Sequence, residues 1–252
     1  MDMDDAMSLV EHLGELRKRI IWIIVVLIIG MVIGLIFAQP LITYLKQVPP
    51  ADGISWNVFS PWDAIRMYMN FALVTGLIVT LPFALYQIWS FLKPGLRIEE
   101  QKASLMFVPF AFLLFLIGLA FAYFVVFKMA FLFTSSITEK LSLQETYGIS
   151  QYFTFMFNIL IPISLLFELP IVIMFLTKLR ILNPKRLHTL RRYAYLLLVI
   201  VASMITPPDA VSAIVVSVPM ILLYEFSVLL SGVVYRKQLL KDKAWEEEFG
   251  EK

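Results

Sequence analysis

Residues 20–45 form a run of 26 without a charge, and residues 152–177 form another 26 with one charge, Glu168. A helix of that length runs about 39 Å at 1.5 Å per residue, longer than the roughly 30 Å hydrocarbon core of a bilayer. In lipid every backbone N–H and C=O must be satisfied within the segment, so such runs are membrane helices and not strands of an open sheet. No other feature of the sequence narrows the possible folds as much.

The rest of the chain follows the same rule. Apolar residues make up 60% of it and charged ones 16%, and the mean hydropathy is +0.83. The charges are confined to short segments, which leaves no room for a soluble domain of ordinary size. There is no cysteine, which excludes disulfides, thiolate metal sites and cysteine nucleophiles. His12 and His188, the only histidines, both fall in polar segments. No HExxH, GxSxG or phosphate-cradling glycine motif is present. The sequence reads as a non-enzyme without metal or cofactor, and nothing in it points to nucleic acid.

The tail 1–19 carries Ser8-Leu9-Val10-Glu11, the form of a capping box, so a helix is expected from Leu9. Leu9, Leu13, Leu16 and Ile20 make an apolar stripe on it, as in an amphipathic helix at the membrane surface. Glu15 has a possible weak partner in Arg19, one turn on. The first apolar run is too long for a signal-peptide core and is expected to stay as an uncleaved span. Spans are expected at about 20–44, 67–92, 103–127, 152–177, 193–208 and 210–235. Residues 128–151 read as a loop with an apolar face of its own. Glu99 and Glu100 fall near a helix start, where acids suit the dipole.

The last two apolar arms, on either side of Thr206-Pro207-Pro208-Asp209, are short. They could form one re-entrant hairpin or two spans. The apolar run continuing beyond Glu225 favours two spans over a thinned bilayer. Of the 21 Lys and Arg residues, 17 lie on one side of this arrangement, which by the positive-inside rule is the cytoplasm. The expected fold is therefore all-α, a polytopic membrane protein with six transmembrane helices, the last two short, and both termini cytoplasmic. It reads as a single integral membrane domain over 1–252: a cytoplasmic tail 1–19, six spans within 20–235, and a cytoplasmic tail 236–252.

Glu168 is the chemical oddity. A carboxylate at membrane depth costs at least about 2.5 kcal/mol, and such groups mark function by default. Pro162 and Pro170 interrupt the helical ladder around it. It is either a polar docking or relay point, or a buried acid that only fixes packing. A proton-coupled small-solute transporter using Glu168 as carrier is the rival class, although no internal repeat supports it.

HLGELRKRI at 12–20, LPFALYQIWSFLKPGL at 81–96, GLAFAYFVVF at 118–127, FELP at 167–170 and ITPPDAVS at 205–212 together resemble the TatC family. That family is the multispanning core of the twin-arginine protein translocase. The resemblance implies a receptor for folded-protein export in the bacterial plasma membrane. Its expected partners are signal peptides with two consecutive arginines and single-span TatA/TatB-type membrane proteins, in an oligomeric complex. By position in those motifs, Glu15 and Glu100 resemble the acids that receive the arginines. Phe91, Pro94 and Arg17 match motif positions beside them. Glu168 resembles the intramembrane acid and Asp209 the acid of the TPPD turn, both on the side of partner helices. Many relatives carry glutamine where this chain has Ala213.

Overall fold

The computed structural model describes the backbone of residues 3–93, 101, 105–206 and 210–249, with side chains over 13–93, 101, 105–206 and 213–240. Among the described residues six helical stretches are long and apolar enough to cross a membrane: Leu13–Lys46, Asp63–Leu92, Phe107–Lys140, Ile149–Lys178, Pro184–Ile205 and Ala213–Leu240. The expected all-α, six-span fold is what the chain adopts. It divides into two compact units, one of Met1–Phe112 with Ser135–Asn158, the other of Leu113–Thr134 with Ile159–Lys252.

The first unit is built on α1 (Met3–Lys46) and α2 (Asp63–Leu92). The expected start at Leu9 is corrected: α1 begins at Met3, so Ser8 lies inside the helix and the tail and first span are one element of 44 residues. Good helix formers (Ala6, Met7, Leu9, Glu11) precede the span, and no proline interrupts them. The two helices approach closely because small residues meet: a Cβ placed on Gly34 would lie 2.8 Å from the Cα of Ala72, and one on Gly30 would lie 3.0 Å from the Cα of Gly76. Gly30 and Gly34, like Ala72 and Gly76, are four residues apart, the small-xxx-small spacing that lets membrane helices touch backbone to backbone.

At one end of this unit a two-residue parallel pair forms between β1 (Trp56–Asn57) and β2 (Tyr147–Gly148). Trp56 packs edge-on against Tyr152 at 5.0 Å and stacks on Phe153 at 6.0 Å. Phe71 of α2 meets Phe153 and Phe157 in T-shaped contacts, each at 4.9 Å. Such pairs add roughly 0.5–1.5 kcal/mol each beyond the area they bury. Asp63 is buried and accepts from the backbone N–H groups of Phe59 and Ser60, both at 3.0 Å, which fixes the entry to α2.

The third span differs from the expected one. It runs through α3 (Phe107–Phe121), a π-helical stretch Ala122–Phe127, and α4 (Lys128–Lys140) without a break. The loop expected from residue 128 is thus 13 further residues of helix. No glycine or proline stands between Gly118 and Gly148 to stop it, and Ala130 and Phe131 are buried. The helix ends at Ser142, whose φ is +56°. Its N–H reaches the Glu139 carbonyl while Leu143 N–H reaches that of Thr138, a Schellman stop without the usual glycine.

In the second unit the fourth span is broken. It consists of the end of α5 (Ile149–Leu166) and of α6 (Leu169–Lys178), with Phe167 and Glu168 as a turn between them. Pro170 sits in the first turn of α6 and cannot donate to the chain behind it. α7 (Pro184–Ile205) opens on Asn183, whose side chain accepts from Arg186 N–H at 2.8 Å. At 22 residues it is the shortest unbroken span, and it takes basic residues into its first turns. α8 (Ala210–Phe249) packs along both α6 and α7. Polar staples hold it there: Thr177 and Ser231 hydroxyls lie 2.7 Å apart, and Gln238 donates to the Lys178 carbonyl at 2.8 Å.

Candidate functional site

The expected site residues fall into two groups. Glu15 and Arg17 lie on α1 and Phe91 on the last turn of α2, all in the first unit. Pro94, Glu100 and Asp209 lie outside the described residues. Glu168 stands in the second unit.

Glu15 is held from within its own helix. Arg19, one turn on, donates from Nε to Glu15 Oε1 at 3.1 Å and closes a second bond from Nη2 to the same oxygen. The pairing expected from the i,i+4 spacing is present. Sequence reasoning missed what anchors it: Arg19 Nη1 also donates to the side-chain and backbone oxygens of Gln87 on α2, at 3.1 and 3.3 Å. The guanidinium therefore bridges two helices and presents Glu15 in a fixed rotamer. Its own side chain is 18% exposed, while that of Glu15 is 41% exposed. The carboxylate is thus oriented and still reachable.

Phe91 is half-buried one turn beyond Gln87, just as Glu15 is one turn beyond Arg19. The Arg19–Gln87 contact sets both pairs at the same end of α1 and α2. Trp89, buried beside it, carries Lys93 Nζ over its ring at 5.7 Å. Arg17 is exposed; two residues from Glu15 on a helix, it points about 200° away around the axis.

Glu168 occupies the turn between α5 and α6. Its backbone carbonyl accepts from Ile171 and Val172, both at 3.0 Å, so it behaves as the helix start for α6. Its side chain does not cap that start. Both carboxylate oxygens are buried and have no hydrogen-bond partner among the described residues. The turn is seated by Phe167, which packs on Phe121 at 5.5 Å and directly over Gly118. A Cβ on Gly118 would fall 2.7 Å from the Phe167 ring and 2.8 Å from its Cβ. The first glycine of GLAFAYFVVF is therefore the floor under FELP.

A second acid of the spans was undervalued. Glu225 on α8 accepts from Arg191 Nη2 at 2.5 Å and from the hydroxyl of Tyr195. Arg191 and Tyr195 are one turn apart on α7, so both reach the same carboxylate. A signal existed in the sequence: one uncompensated acid and one arginine on consecutive spans, each needing a partner. Tyr224, adjacent to Glu225, donates to the Leu187 carbonyl at 2.9 Å.

Among the described residues no group of three or more His, Asp or Glu could hold a metal ion. The described residues thus present a partly exposed carboxylate oriented by Arg19 and, in the fourth span, a buried carboxylate with no hydrogen-bond partner among them.

A family model described as Sec-independent protein translocase protein (TatC) matches residues 11–219. The chain is 46% identical over 243 residues to the Sec-independent protein translocase protein TatC of Halalkalibacterium halodurans, covering 96% of each. It is 40% identical to TatCy of Bacillus subtilis, covering 92% of this chain and 91% of that one. A crystal structure described as a twin arginine translocase receptor, TatC, in DDM superposes with a TM-score of 0.78 at 29% identity, over 87% of this chain and 99% of that one.

Proposed function

The chain belongs to the TatC family of Sec-independent protein translocase proteins, and from that premise we propose that it is the signal-peptide receptor and core subunit of a twin-arginine translocase. It exports folded proteins across the bacterial plasma membrane. The observation that carries the reading is Glu15, half-exposed yet locked in orientation by Arg19 and Gln87. These relatives are protein translocase components, and they give no support to a proton-coupled small-solute transporter.

In this reading Glu15 receives one arginine of the signal and Glu100 the other. A guanidinium offers two parallel donors that match a carboxylate, which an ammonium cannot do. A carboxylate has about four lone-pair sites, so a contact with Arg19 does not by itself exclude a second guanidinium. Fully exposed pairs are worth only about 0–1 kcal/mol. The half-buried Phe91 and the adjacent Leu16 supply apolar surface near the pair. Both termini face the cytoplasm, which the 17 of 21 cations on that side support.

Glu168 and Asp209 serve the second task, docking of single-span TatA/TatB-type helices within an oligomeric complex. Glu168 is buried beside a broken helix with no hydrogen-bond partner among the described residues, and a polar group on an incoming helix would satisfy it.

The test is a binding assay with purified protein and two signal peptides that differ only in Arg-Arg against Lys-Lys. The arginine peptide is expected to bind tighter. Glu15→Gln and Glu100→Gln should each weaken it about tenfold, the size of a lost hydrogen bond to a charged group. Wild-type binding by both variants overturns the assignment.

A further inference from the structure

The turn between α6 and α7 has an unusual charge pattern that the receptor reading does not use. Residues 178–192 carry six cations and no acid. Arg191 is spoken for, since it faces Glu225 on α8. Two of the others, Lys185 and Arg186, stand at the entry of α7. There an open surface pocket of about 400 Å³ is lined by Asn183, Lys185, Arg186, Thr189 and Leu190. Arg186 is braced rather than loose: its Nη1 donates to the Ile181 carbonyl at 3.2 Å. Arg192 lies over the Tyr193 ring at 4.8 Å and donates to the Tyr193 hydroxyl at 2.9 Å. The tyrosine is thereby fixed at the border between cations and apolar surface, where such rings sit in a bilayer interface.

The surface below the pocket is continuous with it. At 100° per residue, Arg186, Leu190, Tyr193, Leu197 and Met204 fall within about 40° of one line along α7. Leu190 is 46% exposed, Tyr193 56%, Leu197 61% and Met204 81%. From Leu190 to Met204 this stripe runs about 21 Å. One leaflet of the hydrocarbon core is about 15 Å deep. A basic pocket at the interface, leading into an apolar stripe the length of an acyl chain, has the shape and chemistry of a phospholipid.

We propose that Lys185, Arg186 and Thr189 at the entry of α7 form a binding site for the phosphodiester headgroup of an anionic phospholipid, whose acyl chain lies along Leu190, Tyr193 and Leu197. The cations supply the affinity for a negative headgroup and the stripe the affinity for a tail. A free phosphate would use only the first, and an apolar partner helix only the second. Basic pockets on the cytoplasmic side of spans are suited to such headgroups. The site depends on the chain spanning a membrane and on no property of Glu15 or Glu100.

The test uses the full-length protein in maltoside detergent, stripped of lipid. Retention of phosphatidylglycerol and phosphatidylcholine of matched chains is read by native mass spectrometry. Wild type should retain phosphatidylglycerol preferentially. The Lys185→Gln/Arg186→Gln variant should lose about thirty-fold in that preference, since each cation near an anionic lipid contributes roughly fivefold. Arg186→Lys should keep most of it. Arg236→Gln/Lys237→Gln, the same charge loss elsewhere on an exposed part of α8, should leave it unchanged. Equal retention of both lipids by wild type overturns the proposal, as does an equal loss in the Arg236/Lys237 variant. Competition by glycerol phosphate as effective as by the intact lipid also overturns it, because the tail stripe would then contribute nothing. Unchanged thermal unfolding of each variant in detergent alone separates loss of the site from loss of the fold.

Discussion

Glu168 and Glu225 are both acids within spanning helices of the same compact unit, and they are treated in opposite ways. Glu225 meets a guanidinium and a phenol from consecutive turns of α7. Glu168 is buried at a helix break and meets no donor among the described residues. The difference teaches that an intramembrane acid is not one kind of thing. Glu225 joins two helices, and its energetic worth lies in its partners. Glu168 is carried at a cost, with no donor among the described residues to offset it.

That contrast can be broken by measurement. The largest effect is expected from Arg191→Ala, which leaves Glu225 with only the Tyr195 hydroxyl and should cost about 3 kcal/mol, the upper end for a hydrogen bond to a charged group. Thermal unfolding in detergent reads it, and a cycle with Glu225→Gln should show coupling between the two sites. If the two single variants simply add, the pair is not a clamp.

Next in size is Gly118→Ala. Its new methyl group would press on Phe167, and overpacking of this kind costs about 1–3 kcal/mol. The same variant should weaken crosslinking of a single-span partner near residue 168, because Phe167 carries the turn that aims Glu168. Unaltered crosslinking would separate the floor from the acid.

Arg180→Gly should raise stability by about 1 kcal/mol. Arg180 ends α6 with a φ of +63°, a conformation that costs a side-chain-bearing residue roughly that amount. Unchanged or lower stability would mean that the arginine side chain holds the turn.

The smallest effect sharpens the comparison most. Glu168→Gln should change stability by less than about 1 kcal/mol, since no hydrogen bond within the unit is lost. Crosslinking to the partner should nevertheless fall. A stability loss as large as that of Glu225→Gln would show that Glu168 is a packing residue after all.

How much of this could be read in the chain beforehand differs by element. The spans were legible because each carries an apolar window of membrane length, which no other arrangement can hide. Their ends were not. α1 begins before its capping box because no glycine or proline precedes it, and the third span runs on past Phe127 because buried Ala130 and Phe131 and the lack of a glycine or proline outweigh a polar composition. The contact of Gly30 and Gly34 with Ala72 and Gly76 was not read beforehand, since small residues four apart on one helix do not say which helix they meet. The i,i+4 pair of Glu15 and Arg19 was visible from its spacing, while Gln87 was not.

The sequence alone settled what depends on neighbours a few residues apart: helicity, membrane length, the pairing within one turn, and the motifs that carry the family. Only the tertiary structure decided which distant groups meet. Arg191 lies 34 residues from Glu225 and Arg19 lies 68 from Gln87, and no local rule couples positions that far apart. The fate of Glu168 was settled in the same way, since whether a buried carboxylate finds a donor depends on which faces of other helices turn toward it.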